Sequence, residues 1–364
     1  MRLTPASNRA PVFFVLLALA VSAARGAAHA AAESEPAKAA IETSLATAKG
    51  QIRQFAFDGE PNTFFASEKN PESSDHFTLV FEKPVKVKSI AVVTGRPDGG
   101  DALEAGRLLV SADAKAFREL STFADGKTQA MLPNESIKAV RIEPAVNLKH
   151  ALAIRELEIE SDPPVAVFKY PVEFRIDVED EPKLKDWAEK VAKVCAVAYP
   201  MINEELKSEG YKPPSVVTLA LKSDYRGVAF ASGSRITGSV KYFEDHPDDV
   251  GAIIHETSHV VQNYHGRNNP GWLVEGVSDY VRFFKFEPGK IGRINAGRAH
   301  YNGSYRVTAA FLAYVTDKYD KRLVLKLNKL MREGRYKKEV FKELTGKDLE
   351  ELDREWLATL HTKS

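Results

Sequence analysis

The chain has 364 residues, 44% of them hydrophobic, and 51 basic residues face 50 acidic ones for a formal net charge of +1. That composition suffices for one or two sizeable cores and excludes a chain disordered throughout, while the charge balance gives no electrostatic reason to expect nucleic acid or an anionic membrane surface as partner. A single cysteine, Cys195, excludes an intramolecular disulfide, so the protein must be stable on packing alone.

The first predicted element is a targeting segment. Arg2 and Arg9 precede the apolar run Val12 to Val21, and Ala28-His29-Ala30 offers small residues for cleavage. Residues 1–30 therefore read as a secretory signal peptide and 31–40 as a linker, which makes the protein secreted or periplasmic. The run is shorter than the ~20 apolar residues of a spanning helix, with an uncleaved anchor as the alternative. No later segment is long and apolar enough, so no integral membrane segment is expected in the mature chain. Removing residues 1–30 takes away Arg2, Arg9 and Arg25 and no acidic residue, and the remainder stays close to neutral.

From about Ile41 to Asp162, short β-type runs alternate with turn residues: His76 to Phe81, Val85 to Thr94, Arg107 to Ser111 and Ala139 to Ile142. Such spacing predicts an antiparallel sandwich. Asp162-Pro163-Pro164 then interrupts regular structure, because proline lacks an amide donor and fixes its φ, and the domain boundary is placed there.

The second domain, residues 165–364, opens with a strand in which Val172, Phe174, Ile176 and Val178 alternate. An amphipathic helix follows from about Pro182 to Glu209, ending at Gly210. Cys195 falls on its apolar face with Trp187, Val191, Val194 and Ala198, which makes it a small buried residue and not a nucleophile. Val216 to Leu221 reads as a buried strand. Gly227 to Gly233 reads as a glycine-bounded strand: either an exposed edge able to pair with an extended peptide, or a hairpin without substrate contact. Helical patterns fill the rest, and the domain is α+β.

The segment Ile253-Ile254-His255-Glu256-Thr257-Ser258-His259 places two histidines four apart without a helix breaker. Four residues turn a helix by roughly 400°, so the imidazoles lie about 40° apart on one face and both can reach one ion. Zinc takes imidazole nitrogen and carboxylate oxygen and, in a catalytic site, three protein ligands with one position left for water. Glu275 is the candidate third ligand, on a second helical stretch from Trp272 to Tyr280 that Gly266 and Asn268-Asn269-Pro270-Gly271 separate from the first. Asp279, on the same face, is better placed to accept a histidine ring N–H than to be a fourth ligand. Glu256 points about 100° from the histidine face, the position from which a carboxylate takes a proton from the attacking water.

At these residues the chain resembles the basic secretory protein family of plants and bacteria, zinc metallopeptidases of gluzincin type, from about Tyr170 to Leu360. The motifs that carry the resemblance are Gly227 to Gly233, His255 to His259 with Val261-Gln262, Pro270 to Arg282, and Tyr305 to Leu312. It implies a zincin-like fold with His255, His259 and Glu275 as zinc ligands, Glu256 as base, Asp279 behind a histidine, and a peptide or protein as substrate. The family's basicity is absent here, so nothing about acidic or nucleic-acid substrates is carried over.

Residues 41–162 resemble a discoidin-like, galactose-binding-type jelly roll, through Ala56-Phe57-Asp58-Gly59-Glu60-Pro61-Asn62-Thr63 and Leu152-Ala153-Ile154-Arg155-Glu156-Leu157. Related modules bind carbohydrate and often hold a structural calcium, which makes Asp58 and Glu156 candidate oxygen ligands. Turn capping and a rim salt bridge are the alternatives.

Cleavage of an amide also needs a donor for the developing oxyanion, and Tyr305 is the first candidate, with Tyr301 and His300 nearby in sequence. Tyr280 and Trp272 are expected to pack helices together, and His265 and His246 to be solvated polar residues. The reading that emerges is an exported zinc peptidase with an N-terminal module for glycan or surface attachment. The alternative is a glycan-binding adhesion protein whose zinc module is not catalytic, against which an intact Glu256 argues.

Overall fold

The computed structural model describes residues 35–178, 181–265, 268–303 and 305–361. The predicted signal peptide and the start of the linker lie outside the described residues, as does Gly266. Among the described residues, no helix is long and apolar enough to cross a membrane.

The N-terminal part is an all-antiparallel β-sandwich. Its strands are β1 (Ala39–Thr43), β2 (Phe65–Ala66), β3 (Phe77–Thr94), β4 (Gly106–Ser111), β5 (Arg118–Thr122), β6 (Lys127–Pro144) and β7 (Ala153–Asp162). They form one hydrogen-bonded path, β2-β7-β3-β6-β4-β5, with β1 on β3. The two sequence runs His76 to Phe81 and Val85 to Thr94 are one strand of 18 residues. Pro84 falls where the β3–β6 register shifts between Val80 and Val85, so the missing amide is absorbed by an irregularity and the ladder resumes. A second shift between Val87 and Ser89 keeps Val85, Val87, Ile90 and Val92 all facing the core despite the odd spacing between Val87 and Ile90.

By packing, this first core runs past the predicted boundary at Asp162-Pro163-Pro164. Val165 is buried in it and bridges to Ala37, the Phe168 amide donates to the Phe57 carbonyl at 2.9 Å, and the two phenylalanine rings meet edge to face at 6.1 Å. The prolines end the last strand, but the apolar side chains beyond them still find their nearest dry surface on the sandwich.

The C-terminal part is α+β around a separate core. A four-stranded sheet has the order β10-β11-β9-β8, with β8 (Glu173–Asp177), β9 (Val216–Lys222) and β11 (Arg235–Ser239) parallel and β10 (Ala229–Ser232) antiparallel at the edge. Helix α1 (Lys185–Leu206) packs on β8 and on α3 (Val250–Gln262), and α2 (Val240–Asp245) follows β11. α4 (Gly271–Tyr280) continues into a π-helical turn, Val281–Phe286, and packs against α5 (Tyr305–Lys318). α6 (Leu323–Arg332), α7 (Val340–Thr345) and α8 (Leu349–His361) complete the fold. Cys195 is fully buried in this core, and burial pushes its thiol up to about 12, which leaves it inert as a nucleophile.

α3 is nearly all buried, and its ends are defined by sequence-local chemistry. Asp249 caps the first turn by accepting the Ala252 amide at 3.3 Å, and Asn263 stops the helix in the left-handed conformation at φ 45°. Thr257 and Ser258, fully buried, return their hydroxyls to the carbonyls of Ile253 and Ile254 at 2.7 and 3.0 Å. α4 approaches α5 so closely that a Cβ on Gly276 would sit 2.1 Å from the Thr308 methyl, which is why glycine follows Glu275.

The carbonyls left over at the ends of α1 and α3 share one donor. Arg332 donates to Leu206 O at 3.0 Å, Val261 O at 2.9 Å, Gln262 O at 3.1 Å and the Ser208 hydroxyl, and its guanidinium lies 3.7 Å over the Tyr211 ring. A planar five-donor group is suited to collecting carbonyls from two helices at once. Replacing it by methionine, R332M, removes the side-chain donor of Val261 O and Gln262 O, while Leu206 O keeps the Asn328 amide at 2.6 Å, and is expected to cost about 2–4 kcal/mol in urea denaturation. A loss below about 1 kcal/mol would show that water caps the two helices as well as Arg332 does.

Candidate active site

His255 and His259 project from one face of α3, and α4 lies antiparallel enough beside it to bring Glu275 to both. The two Nε2 atoms are 3.0 Å apart, and each is 3.1 Å from Glu275 Oε2. The remaining ring nitrogens are engaged behind. His255 Nδ1 meets Asp279 Oδ1 at 2.6 Å, in a pocket where Asp279 is only 5% exposed. His259 Nδ1 meets Gln262 Oε1 at 2.8 Å and Ser278 Oγ at 3.2 Å, while the Gln262 amide donates to Val274 O at 3.0 Å. Gln262 and Ser278 as supports of His259 were not foreseen. The signal available in sequence was spacing, since each lies three residues beyond a ligand candidate on its own helix.

With both Nδ1–H groups donating to oxygens, each neutral imidazole presents a lone pair on Nε2 to the other and to a carboxylate oxygen. Three acceptors facing one another repel unless a proton or a cation lies between them. Accordingly, although burial opposes a charged ring, hydrogen bonds to Asp279 and Glu275 push the His255 imidazole above its ordinary value. Burial likewise opposes ionisation of Glu275, but the two imidazoles hold its carboxyl below the usual range. Ligand atoms around a tetrahedral zinc at 2.0–2.1 Å lie about 3.3 Å apart, close to the 3.0–3.1 Å edges here, so the two-nitrogen, one-oxygen donor set fits such an ion. Among the described residues, this is the one group of three or more such side chains within reach of a common metal.

Glu256 is 8% exposed and lines the cleft beside the three ligand atoms. Burial raises its pKa, against the opposing pull of both imidazoles and of a hydrogen bond from the Ala231 amide of β10. The Gly227 to Gly233 segment is therefore an edge strand that lines the cleft and fastens Glu256. Tyr305, 52% exposed at the start of α5, also lines the cleft, with its ring 5.9 Å from that of His255. The whole cleft has a volume of about 830 Å³, ample for several residues of an extended peptide.

Several other residues stand elsewhere. Tyr301 packs on Trp272 and Phe311, and His300 pairs with Asp353 at 3.4 Å, so neither reaches the imidazoles. Trp272 and Tyr280 pack helices, Trp272 against Tyr301 and Phe341 and Tyr280 stacked on Phe284. His246 stacks on Tyr242. His265 is exposed but lines the cleft, a placement that its distance from the motif in sequence did not suggest.

In the sandwich, the structure brings Asp58 and Glu156 together. Asp58 caps its own turn, accepting the Glu60 amide at 3.0 Å and the Thr63 hydroxyl at 2.9 Å, as the capping alternative expected. Glu156 is 9% exposed, and its Oε2 has no hydrogen-bond partner, so a rim salt bridge is ruled out for it. Burial first, and the neighbouring Asp58 second, push its carboxyl up to about 8. A hard cation between the two carboxylates would satisfy that orphan oxygen.

The model of one family, described as peptidase of plants and bacteria, matches residues 173–356, half of the chain and all of the cleft. The chain belongs to this family. That assigns the C-terminal domain to peptidases. No curated protein matches. Among solved structures, the peptidase is similar over about a third of its length, in the N-terminal region, to carbohydrate-binding modules. One is a CBM32 module of a family 31 glycoside hydrolase from Clostridium perfringens (13% identity, TM-score 0.30, 33% of this chain and 92% of that one). Another is a family 32 module from the same organism in complex with galactose (15%, 0.28, 33% and 92%). A third is the C-terminal domain of a chitobiase from Bacteroides fragilis (16%, 0.28, 34% and 93%).

Glu156 makes stability depend on pH in a known direction. Between its ordinary value of 4.5 and about 8, the folded protein holds a proton that the unfolded chain has released, so this group's contribution is full below 4.5 and is lost as pH rises to 8. In chelating buffer, the Tm of the wild type relative to E156Q should fall across that window. Parallel profiles for the two proteins would mean that Glu156 ionises freely.

Proposed function

We propose that this protein is an exported zinc-dependent peptidase with a zincin-like catalytic domain, in which His255, His259 and Glu275 hold the metal and Glu256 acts as general base. The observation that carries the reading is the triangle of two imidazole nitrogens and one carboxylate oxygen, each pair 3.0–3.1 Å apart, with the buried carboxylate of Glu256 lining the same cleft. When bound, zinc supplies a Lewis acid that polarises the scissile carbonyl and makes a nearby water acidic near neutral pH. Export rests on the signal-like composition of residues 1–30.

The chain's own residues divide the remaining tasks. Burial gives Glu256 the proton affinity to accept a proton from the attacking water and pass it to the leaving amine, and the Ala231 amide keeps its carboxylate in place. Asp279 on one histidine and Gln262 on the other fix which ring nitrogen faces the cleft. To Tyr305, whose ring lies 5.9 Å from that of His255, we assign the donation of a hydroxyl proton to the developing oxyanion. The free edge of β10 offers amides and carbonyls to an extended peptide, which would align as a further strand.

The purified protein should contain about one zinc per chain, and E256Q should keep the metal while losing turnover of peptides by about 10²–10⁴-fold. An E256Q protein that cleaves as fast as the wild type would remove Glu256 from the chemistry, and a wild type that binds no metal would remove the whole reading.

For residues 41–162 we propose attachment to carbohydrate, with a calcium ion between Asp58 and Glu156 as a structural support. The support is the motif resemblance together with the buried orphan oxygen of Glu156. On a glycan array the intact protein should retain at least one class of glycan, and less of it after chelation. Binding to none of them would leave the sandwich a stabilising domain only.

A further inference from the structure

The cleft contains three carboxylates, and each is already committed: Glu275 and Asp279 to the imidazoles, Glu256 among them and the Ala231 amide. Its two guanidinium groups are not equivalent. Arg282 is neutralised from behind, donating to Asp249 Oδ1 at 2.5 Å and to Glu287 Oε1 at 2.7 Å, with the Tyr242 hydroxyl also on Asp249 at 2.7 Å. Arg306 is exposed, lines the cleft one residue after Tyr305, and donates only to the Ile291 carbonyl at 3.3 Å. Among the described residues it meets no carboxylate.

A solvent-facing guanidinium with most of its donors unspent is the side chain best shaped to take a carboxylate in a two-point grip. The first turn of α5, in which it sits, carries no acidic residue and contributes the positive end of a helix dipole. Among the described residues, no acidic group besides Glu256, Glu275 and Asp279 lines the cleft to attract a basic substrate side chain instead. We infer that Arg306 is a specificity-determining residue that selects peptides with an aspartate or glutamate close to the scissile bond. The inference rests on the peptidase reading of the same cleft and adds the chemical class of its substrate. The near-zero charge of the whole chain conceals this preference, because it is a property of one rim position and not of the sequence average.

The test uses full-length protein and a set of peptides identical except for Glu, Gln or Lys at each position within three residues of the cleaved bond. At one of these positions the wild type should favour Glu over Lys in kcat/KM by about tenfold, and R306E should invert the ratio, with R306Q between them. Binding of the same peptides to E256Q and to E256Q carrying R306E, read by fluorescence anisotropy, gives the second readout and needs no turnover. Peptides cleaved or bound with a Glu/Lys ratio that the charge at 306 does not move overturn the assignment to Arg306 and leave the peptidase intact. Peptides bound with a charge-dependent ratio but never cleaved overturn the peptidase and leave Arg306 as a recognition residue. Failure to bind or cleave any of them overturns both.

Discussion

Two imidazole lone pairs and a carboxylate oxygen, held about 3 Å apart in a mostly buried corner, cannot coexist without positive charge between them. Around this constraint the C-terminal domain is organised. The hydrogen bonds on the far side of each ring leave the near side no proton of its own to donate, so Asp279 and Gln262 turn a pair of ordinary histidines into a pair of acceptors. A cation there would convert mutual repulsion into a joint interaction and would tie α3 to α4.

Holding such a cluster requires that its two helices not slide or rotate. α3 is immobilised at both ends: Asp249 caps its start and is itself gripped by Arg282 and Tyr242, while Arg332 gathers its last carbonyls together with that of α1. α4 is held by the close approach of Gly276 to Thr308 on α5, which places Tyr305 and Arg306 at the rim through the same contact. The cleft is also lined by β10, an edge strand whose backbone reaches Glu256. The proposed base and ligands and the residues that line the cleft with them thus belong to four elements that share one core, and displacement of any element is felt by the others.

The sandwich is a different kind of object. Its core is separate, its described strands pair only with each other, and the raised carboxyl of Glu156 lies far in sequence from the cleft residues and follows from burial first and the neighbouring Asp58 second. The chain leaves it for the peptidase domain after Phe168, whose amide is still bonded to the Phe57 carbonyl.

Much of the catalytic corner was legible in the sequence because it is local. The i, i+4 spacing of His255 and His259, and of Glu275 and Asp279, is a statement about helix geometry that needs no tertiary information, and α-helices formed where the periodicity placed them. The strand runs were legible as well, although Pro84 suggested two strands where the register shift allows one, since only the neighbouring strand decides whether a lost amide ends a ladder. Tertiary structure alone decided the rest. It determined that Gln262 and Ser278 orient His259, that the boundary prolines do not end the first core, that His265 returns to the cleft, and that of two cleft arginines Arg282 is neutralised and Arg306 is free. Each of these depends on which distant side chain arrives at a given surface, a property of packing that periodicity along one element does not encode.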